Sequence, residues 1–251
     1  MQTRAAIVTG GGRGIGRAIA LALARDGRSV AVADVLADEA RAVAGEITGA
    51  GGNAAAVELD VTDPTSVKSG IDTAASALGP LEILVNNAGW DELRRFTDTD
   101  EEFWERVLDV NFKGALRMTH ALLPAMVARG FGRIVSIGSD AGRVGSSLES
   151  VYAGAKGGLI AFTKTIAREA ARHGVTANTV CPGPTDTPML AGIVAAHDDA
   201  ERVIGAMTRA VPMRRLAQPE EIAAAVAFFA SEQASFITGQ TLSVSGGLTM
   251  A

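Results

Sequence analysis

The sequence predicts a doubly wound α/β fold, in which helices cover both faces of a mainly parallel sheet. Short apolar or β-branched runs alternate with longer alanine-rich segments of helical period. The runs do not alternate between apolar and polar residues, which is typical of strands buried on both faces. The segments between them are long enough to form helices, so we expect helical crossovers between parallel strands.

Seven candidate strands follow one another along the chain. They are AAIVT (5–9), SVAVA (29–33), NAAAVEL (53–59), LEILV (81–85), GRIVSI (132–137), VTANTV (175–180) and QTLSVSG (240–246). No repeat, linker or low-complexity segment interrupts this pattern, so residues 1–251 are predicted to form a single domain around about seven parallel strands.

Capping residues in the sequence mark the start of one predicted helix and the end of another. Thr99, with Glu102 three residues later, resembles a capping box and predicts the start of a helix that continues through FWERVLDVNFKGALRMTHALL. A second helix is predicted from about Val151 to His173. Gly174 follows it as a C-cap, because glycine adopts the left-handed conformation that ends many helices.

Composition argues against several classes of function. The 28 acidic and 23 basic residues give a formal charge of −5, and no basic block is present to follow a nucleic acid backbone. Cys181 is the single cysteine, and His120, His173 and His197 lack metal-ligand spacing, so we expect neither a disulfide nor a metal site. No apolar run reaches the roughly 18 residues of a membrane span. We expect a complete, cytoplasmic protein that binds neither membrane nor nucleic acid.

The first strand ends in the glycine-rich turn TGGGRGIG (9–16), and a helical segment follows it. Glycines permit positive φ, let the backbone approach a pyrophosphate, and leave a helix N-terminus to receive negative charge. Asp34 closes the second strand, where a carboxylate accepts hydrogen bonds from an adenosine ribose. Read singly, the glycines are also compatible with a plain turn and Asp34 with a helix N-cap. Together they favour a dinucleotide.

Tyr152 is the only tyrosine in the chain, and Lys156 stands four residues after it. On a helix the two side chains share a face, and a nearby ammonium favours the phenolate, which makes the tyrosine a better base. Ser139 follows the fifth strand, at the end of a parallel sheet where ligands bind, and its hydroxyl can hydrogen-bond a substrate oxygen. The alternative is an ordinary helical tyrosine beside a solvated lysine.

Seven short motifs in order give the sequence a resemblance to a known family. They are TGGGRGIG (9–16), Asp60-Val61, NNAG (86–89), VNFKG with Asn111, Ser139, YAGAK (152–156) and PGPTDT (182–187). Over essentially its whole length the chain resembles the short-chain dehydrogenases/reductases. The resemblance implies a single-domain Rossmann-type oxidoreductase that uses NAD or NADP.

The resemblance also implies roles for individual residues. Tyr152 is the implied general acid/base, Lys156 lowers its pKa and binds the nicotinamide ribose, Ser139 orients the substrate oxygen, and Asn111 anchors a water in the proton relay. Asp60 and Val61 are implied to contact adenine, and PGPTDT to hold the carboxamide. The implied cofactor-binding positions are Gly10, Arg13, Gly14, Ile15, Gly16, Asp34, Asp60, Val61, Asn87, Ala88, Gly89, Tyr152, Lys156, Pro182, Gly183, Thr185 and Thr187.

NAD is the predicted cofactor. The Asp34 carboxylate accepts from ribose hydroxyls and repels the additional phosphate of NADP. Arg13 in the glycine turn argues the other way, because a guanidinium pairs well with a phosphate. We favour the carboxylate, since like charges brought together at an interface cost several kcal/mol.

Within the family, the chain most resembles the 2-hydroxycyclohexanecarboxyl-CoA dehydrogenases. The matching stretches are NNAGWD (86–91), SDAGRVGSSLESVYA (139–153), AREAARHG (167–174), VCPGPTDTPML (180–190) and FITGQTLSVSGGLTM (236–250). This resemblance implies that a cyclic 2-hydroxyacyl-CoA is oxidised to the β-keto thioester. The alternatives are a 3-oxoacyl-ACP or acetoacetyl-CoA reductase and, from a different class, a cofactor-sensing regulator without catalysis.

Several residues are candidates for binding such a substrate. Trp90 is predicted to form a wall for the ring, with an ordinary core indole as the alternative. The candidates for contact with CoA phosphates are Arg94, Arg95 and Arg143, which are otherwise solvated arginines. Residues 184–217, with prolines and weak periodicity, are predicted to be an irregular insertion that covers the substrate around Met189 and Leu190.

A homotetramer is predicted from the resemblance together with two surfaces poor in charge. One is the alanine- and glycine-rich helix predicted at 151–173, and the other is the apolar C-terminal stretch 236–250. Closed homo-oligomers bury such faces symmetrically.

Overall fold

A seven-stranded sheet forms the centre of the computed structural model, which describes residues 4–195 and 200–250. All strand pairs are parallel, in the order β3-β2-β1-β4-β5-β6-β7. The strands are β1 (Ala5–Thr9), β2 (Ser29–Asp34), β3 (Ala54–Glu58), β4 (Leu81–Asn86), β5 (Gly132–Ile137), β6 (Val175–Pro182) and β7 (Thr241–Val244). The predicted fold class and its seven strands are confirmed.

Helices connect the strands and flank the sheet. In the described residues they are α1 (Gly14–Arg25), α2 (Ala37–Gly49), α3 (Pro64–Leu78), α4 (Glu101–Leu108), α5 (Gly114–Arg129), α6 (Ala141–Val144), α7 (Ser150–Ala170), α8 (Pro188–Ala195), α9 (Ala200–Ala210) and α10 (Pro219–Ala230). Within the same residues, no helix is long and apolar enough to cross a membrane.

The core lies in two layers, one on each face of the sheet. Ile19 and Leu23 of α1 pack with α2 and α10 on one face, and Met118 and Met126 of α5 pack with α3 and α7 on the other. Every residue of β1, β5 and β6 is buried. Burial on both faces explains why these strands lack the exposed polar face that an alternating pattern would give.

The order of the strands opens a crevice beside β1. This strand lies between β2 and β4, so the chain builds one half of the sheet through β3 and then crosses to the opposite side of β1. Ligands of open parallel sheets bind at such a switch point, outside the carboxyl ends of the strands. Gly10 follows β1 and Asn87 follows β4, so both residues stand at this edge.

The start of α4 differs from the prediction by one residue. Asp100, not Thr99, is the N-cap, and its carboxylate accepts a hydrogen bond from the Phe103 N–H at 2.9 Å. The Thr99 hydroxyl instead donates to the Phe96 carbonyl at 2.7 Å. Aspartate and threonine are both good N-caps. The Thr99 hydroxyl is engaged in the turn that precedes the helix, so Asp100 caps the helix instead.

The end of the second predicted helix is confirmed. The helix α7 ends at Ala170 and tightens into a 3₁₀ turn over Ala171–His173. Gly174 then takes φ 72°, in the left-handed region where glycine meets little steric resistance.

The prediction of an irregular segment at 184–217 is wrong. It contains the helices α8 and α9, while residues 196–199 lie outside the described residues. Pro188 is the first residue of α8, a position that proline tolerates because the first N–H groups of a helix have no partner within it. The proline therefore starts a helix here instead of preventing one.

Candidate active site

A cleft of about 920 Å³ opens at the carboxyl ends of the strands. Its walls come from the segments that follow β1, β2, β3, β4, β5 and β6, together with α7 and α8. The predicted site residues that line it are Gly10, Arg13, Gly14, Ile15, Gly16, Asp34, Asp60, Val61, Asn87, Ala88, Gly89, Trp90, Ser139, Tyr152, Lys156, Pro182, Gly183, Thr185, Thr187 and Met189. Parts of the chain that are distant in sequence thus meet in one cavity.

The glycine turn leaves room for a ligand against the backbone. Gly10 and Gly14 have φ 61° and 52°, which favour glycine, and a Cβ on Gly16 would lie 1.9 Å from the Gly10 carbonyl oxygen. The first turn of α1 contains no acidic residue, and its N-cap Arg13 makes no side-chain capping bond. Open N–H groups at a helix N-terminus fit the pyrophosphate of a dinucleotide.

Thr9 and Asn87 fix the glycine turn to the loop that follows β4. The Thr9 hydroxyl accepts from the N–H groups of Asn87 and Ala88 at 3.0 and 3.1 Å. The Asn87 amide donates to the Thr9 and Gly10 carbonyls at 2.9 and 3.0 Å. Asn87 therefore holds the shape of the cleft through backbone contacts.

The Asp34 carboxylate is buried and held from both sides. Its Oδ2 accepts from the Gly12 N–H and its Oδ1 from the Leu36 N–H, each at 2.9 Å. It is not the N-cap of α2, since Leu36 occupies that position. Each carboxylate oxygen can accept a further hydrogen bond. Asp34 therefore presents a fixed acceptor to the cleft.

Asn111 lies behind the cleft wall and is not among its lining residues. It belongs to the π-helical turn Asp109–Lys113 between α4 and α5, and such turns are frequent at functional sites. Its amide donates to the carbonyls of Trp90 and Val107 at 2.6 and 2.9 Å, and its Oδ1 accepts from the Trp90 N–H at 3.3 Å. Asn111 therefore positions the loop after β4. Its role as a water anchor stays a prediction.

Tyr152 and Lys156 share one face of α7, and Ser139 meets them from the end of β5. Ser139 and Tyr152 both line this part of the cleft, and Ser139 lies close enough to the Tyr152 hydroxyl to lower its pKa. Lys156 is buried, its Nζ donates to the Ile137 carbonyl at 2.9 Å, and it lies 5.5 Å from the centroid of the Tyr152 ring. The serine, the tyrosine and the lysine therefore converge on one side of the cleft.

The pKa of Tyr152 is raised in the structure by groups other than Lys156, and the lowering of this pKa by the lysine stays a prediction. Burial raises the pKa of Tyr152 above its usual value, the carboxyl groups of Asp91 and Glu149 raise it further, and the neighbouring Ser139 lowers it. Burial also lowers the pKa of Lys156 to about 8. The prediction considered only the lysine on the same helix face, whereas desolvation and two carboxyl groups from other segments raise this pKa.

Trp90 lines the cleft and is held by aromatic and cationic contacts. Its ring meets Phe103 edge to face at 5.7 Å, and the Arg106 guanidinium lies 3.8 Å from its centroid. Both the predicted wall position and a packing role are therefore present. The cation–π contact also brings a positive charge to this side of the cleft.

The prediction of CoA-binding arginines is not supported by their positions. Arg94 pairs with Glu92 at 2.8 Å, Arg143 donates to the Ser243 hydroxyl at 2.7 Å, and neither lines the cleft. Arg95 is exposed and does not line it either. A hydrogen bond to β7 turns Arg143 away, which its place in the sequence does not reveal. The arginines that line the cleft are Arg13 and Arg106.

The sequence did not predict several residues that line the cleft, among them Asp91, Glu149, Arg106 and Thr249. Asp91 and Glu149 stand inside motif stretches that were noted, NNAGWD and SDAGRVGSSLESVYA, but no sequence signal indicates that they meet. Within residues 4–195 and 200–250, no group of three histidine, cysteine, aspartate or glutamate residues is placed to hold a metal ion.

Known proteins resemble this chain from end to end. A family model described as enoyl-(acyl carrier protein) reductase matches residues 10–249. The 3-oxoacyl-[acyl-carrier-protein] reductase FabG of Escherichia coli is 40% identical over 249 residues, which cover 99% of this chain and 98% of that protein. Oxidoreductase UcpA of Salmonella typhimurium is 39% identical over 250 residues, covering 98% and 95%. The chain belongs to the short-chain dehydrogenase/reductase family.

Proposed function

We propose that the protein interconverts a secondary alcohol and a ketone with a nicotinamide cofactor. The convergence of Ser139, Tyr152 and Lys156 beside the glycine turn carries this proposal. A bound nicotinamide supplies or accepts the hydride. The chain's own residues bind the substrate oxygen and move its proton.

Tyr152 exchanges the proton with the substrate oxygen. In reduction its hydroxyl gives a proton to the oxygen as hydride reaches the carbon, and in oxidation the ionised phenolate oxygen takes the alcohol proton. Ser139 donates a hydrogen bond to the same oxygen. Because the pKa of Tyr152 is raised, the phenol keeps its proton at neutral pH, which supports proton donation in the direction of reduction.

NAD is the cofactor we propose. Asp34 presents carboxylate oxygens to the cleft, fixed by the Gly12 and Leu36 N–H groups, and its charge disfavours a phosphate at the adjacent ribose. Arg13 also lines the cleft and would support NADP. Asp34 therefore favours NAD and Arg13 favours NADP, and the preference between the two cofactors can be measured.

The ratio of kcat/KM with NAD to kcat/KM with NADP tests this choice. We expect the unmodified protein to prefer NAD, and Asp34→Asn to lower the ratio by about tenfold or more, because the repelling charge is removed. Asp38→Asn is the matched control, since Asp38 is an exposed acid on α2 that pairs with Arg41. A preference for NADP in the unmodified protein would show that Arg13 dominates.

We further propose a cyclic 2-hydroxyacyl-CoA as the substrate. Trp90 offers a flat apolar wall near Tyr152, and Met189 and Leu190 of α8 with Met207 of α9 supply an apolar cover. This is the substrate-covering role predicted for the segment 184–217. Arg106, exposed beside Trp90, offers positive charge to the CoA phosphates in place of the three arginines first predicted.

A second candidate is the reduction of a 3-oxoacyl thioester. The name of the FabG relative, 3-oxoacyl-[acyl-carrier-protein] reductase, favours it. Both substrates place a ketone or hydroxyl group β to a thioester carbonyl, so Ser139 and Tyr152 act on them in the same way. They differ in the group that must fit against Trp90 and beneath α8.

A substrate panel followed by the absorbance of reduced nicotinamide tests both candidates. It contains a cyclic 2-hydroxyacyl-CoA, linear 3-oxoacyl thioesters of CoA and carrier protein, the matching free acids, and simple secondary alcohols. The highest kcat/KM is expected with the cyclic thioester. If simple alcohols equal the thioesters, the acyl-CoA proposal fails while the alcohol dehydrogenase proposal stands. No hydride transfer with any member would instead favour a cofactor-sensing regulator.

We also propose that the protein is a homotetramer. Phe236 is fully exposed before the edge strand β7, Leu242 is exposed within that strand, and Met250 is exposed after it. Apolar side chains gathered at one surface are typical of an interface. Light scattering at micromolar concentration should give the mass of four chains, and the mass of one chain would refute the proposal.

A further inference from the structure

Asp91 and Glu149 bring two carboxyl groups together in the cleft, although the mechanism above uses neither. Asp91 stands in the loop after β4, and Glu149 directly precedes α7. The backbone N–H of Arg94 donates to the backbone carbonyl of Leu148 at 3.0 Å and so joins the two loops. Leu148 has φ 69°, which is uncommon for a residue other than glycine and adds backbone strain beside the site. The backbone hydrogen bond between the two loops therefore keeps Asp91 and Glu149 on the same side of the cleft.

The surroundings of Asp91 favour its protonated form. Asp91 and Glu149 both line the cleft and interact closely enough for Glu149 to raise the Asp91 pKa, and two ionised carboxylates cannot hydrogen-bond each other because both only accept. Asp91 is 7% exposed, and burial and Glu149 raise its pKa to about 8. Its Oδ2 finds no hydrogen-bond partner among the described residues. The Lys156 ammonium, which favours the ionised form, donates to the Ile137 carbonyl instead.

This pair lies close to the reacting atoms. Both carboxyl groups raise the pKa of Tyr152, so both act electrostatically on the hydroxyl that exchanges the proton. Asp91 lines the same cleft as Ser139 and Tyr152, so it is placed to meet the groups beside a substrate oxygen that these two residues bind. In a β-hydroxy or β-keto acyl compound, the nearest polar neighbour is the acyl carbonyl.

We propose that the Asp91–Glu149 pair recognises the acyl group of the substrate, donating a hydrogen bond from Asp91 to a neutral thioester carbonyl and excluding a free carboxylate. A thioester carbonyl accepts a hydrogen bond from the protonated Asp91. A free carboxylate instead meets the negative charge of the pair in a buried site, where like charges repel strongly. The inference rests on the proposed function and predicts a preference for an esterified acyl group.

The hydrogen-bond donor that the protonated Asp91 carboxyl group supplies should be lost as the pH rises. Asp91 faces Glu149 before α7, Tyr152 and Lys156 on α7, and the backbone N–H of Glu92 in its own loop. Below its pKa of about 8 Asp91 carries the proton, and above it the donor is lost. Thioester kcat/KM should therefore fall above pH 8. Asp91→Asn keeps its amide donor at every pH and should show a shallower fall, with only the titration of Lys156 remaining.

The experiment compares an acyl-CoA with the free acid of the same acyl group. Asp91→Asn retains a donor, so thioester kcat/KM should stay within about threefold, whereas Asp91→Leu should lower it about tenfold. Asp91→Asn combined with Glu149→Gln keeps the shape of the pair without its charge. It should raise kcat/KM for the free acid by about tenfold or more. Glu92→Gln, in the same loop but paired with Arg94 outside the cleft, is the matched control and should change neither value.

The outcomes separate this inference from the proposed function. If thioesters are turned over but the double variant gains no activity on the free acid, the inference fails and the proposed function stands. The double variant is nearly isosteric, so it decides the question even if Asp91→Leu does not fold. If no alcohol or ketone is turned over by the unmodified protein, the proposed function fails and the inference fails with it.

Discussion

Tyr152→Phe should lower kcat by on the order of 10²-fold or more while cofactor binding stays near normal. The substitution removes only the hydroxyl that exchanges the proton. The ring remains in its apolar cluster with Phe103, Val107 and Ala155, so folding should be little affected. Turnover is measured by the absorbance of reduced nicotinamide, and cofactor binding by the quenching of tryptophan fluorescence.

Two further measurements make this result specific. A thermal melt of Tyr152→Phe that matches the unmodified protein rules out loss of fold as the cause. Because Tyr152 is the only tyrosine, the near-ultraviolet absorbance of tyrosinate reports its titration alone. We expect the midpoint to lie above the ordinary value of 10.0. Near-normal turnover by the variant would refute the assignment of Tyr152 as the acid/base.

The sequence predicted the framework because the central strands are buried on both faces. A strand such as β5, GRIVSI, is buried at all six positions, so its boundaries follow from where the apolar run ends. The motifs that line the cleft stand immediately after such strands, as Gly10 does after β1 and Asn87 after β4. Strand ends in a parallel sheet share one edge, so strand assignment also located the cleft.

Features that depend on contacts between distant segments were not predictable in the same way. Spacing places Lys156 on the same helix face as Tyr152, but the pKa of the tyrosine is set by burial and by Asp91 and Glu149 from other segments. Arg143 faces Ser243 on β7, a strand that follows it by a long stretch of chain. A local sequence pattern predicts which residues are neighbours along one helix or strand. The direction of a side chain and the extent of its desolvation depend on tertiary packing, which the pattern does not describe.

Lys156→Met should weaken both chemistry and cofactor binding, with kcat/KM reduced by on the order of 10²-fold or more. Methionine keeps much of the length and apolar character of the side chain but removes the ammonium. In the unmodified protein this ammonium donates to the Ile137 carbonyl and lies below the Tyr152 ring, beside the glycine-lined part of the cleft. We propose that it also binds the nicotinamide ribose, so its loss acts on affinity as well as rate.

The pH dependence of cofactor affinity isolates the charge of this lysine. Burial lowers the pKa of Lys156 to about 8, so the ammonium is present below that pH and is lost above it. The cofactor Kd of the unmodified protein should therefore rise as the pH passes through 8, while that of Lys156→Met should be high and nearly independent of pH. Asp91 titrates in the same range but faces the substrate, so Kd is the better readout than turnover.

Lys164→Met supplies the matched control, because Lys164 stands on the same helix with its side chain exposed. It loses the same charge by the same substitution, and we expect its cofactor Kd and kcat to match those of the unmodified protein. An equal loss in both variants would assign the effect to the net charge of α7. Unchanged affinity in Lys156→Met would refute a role for the buried ammonium in holding the cofactor and leave it only the task of supporting Tyr152.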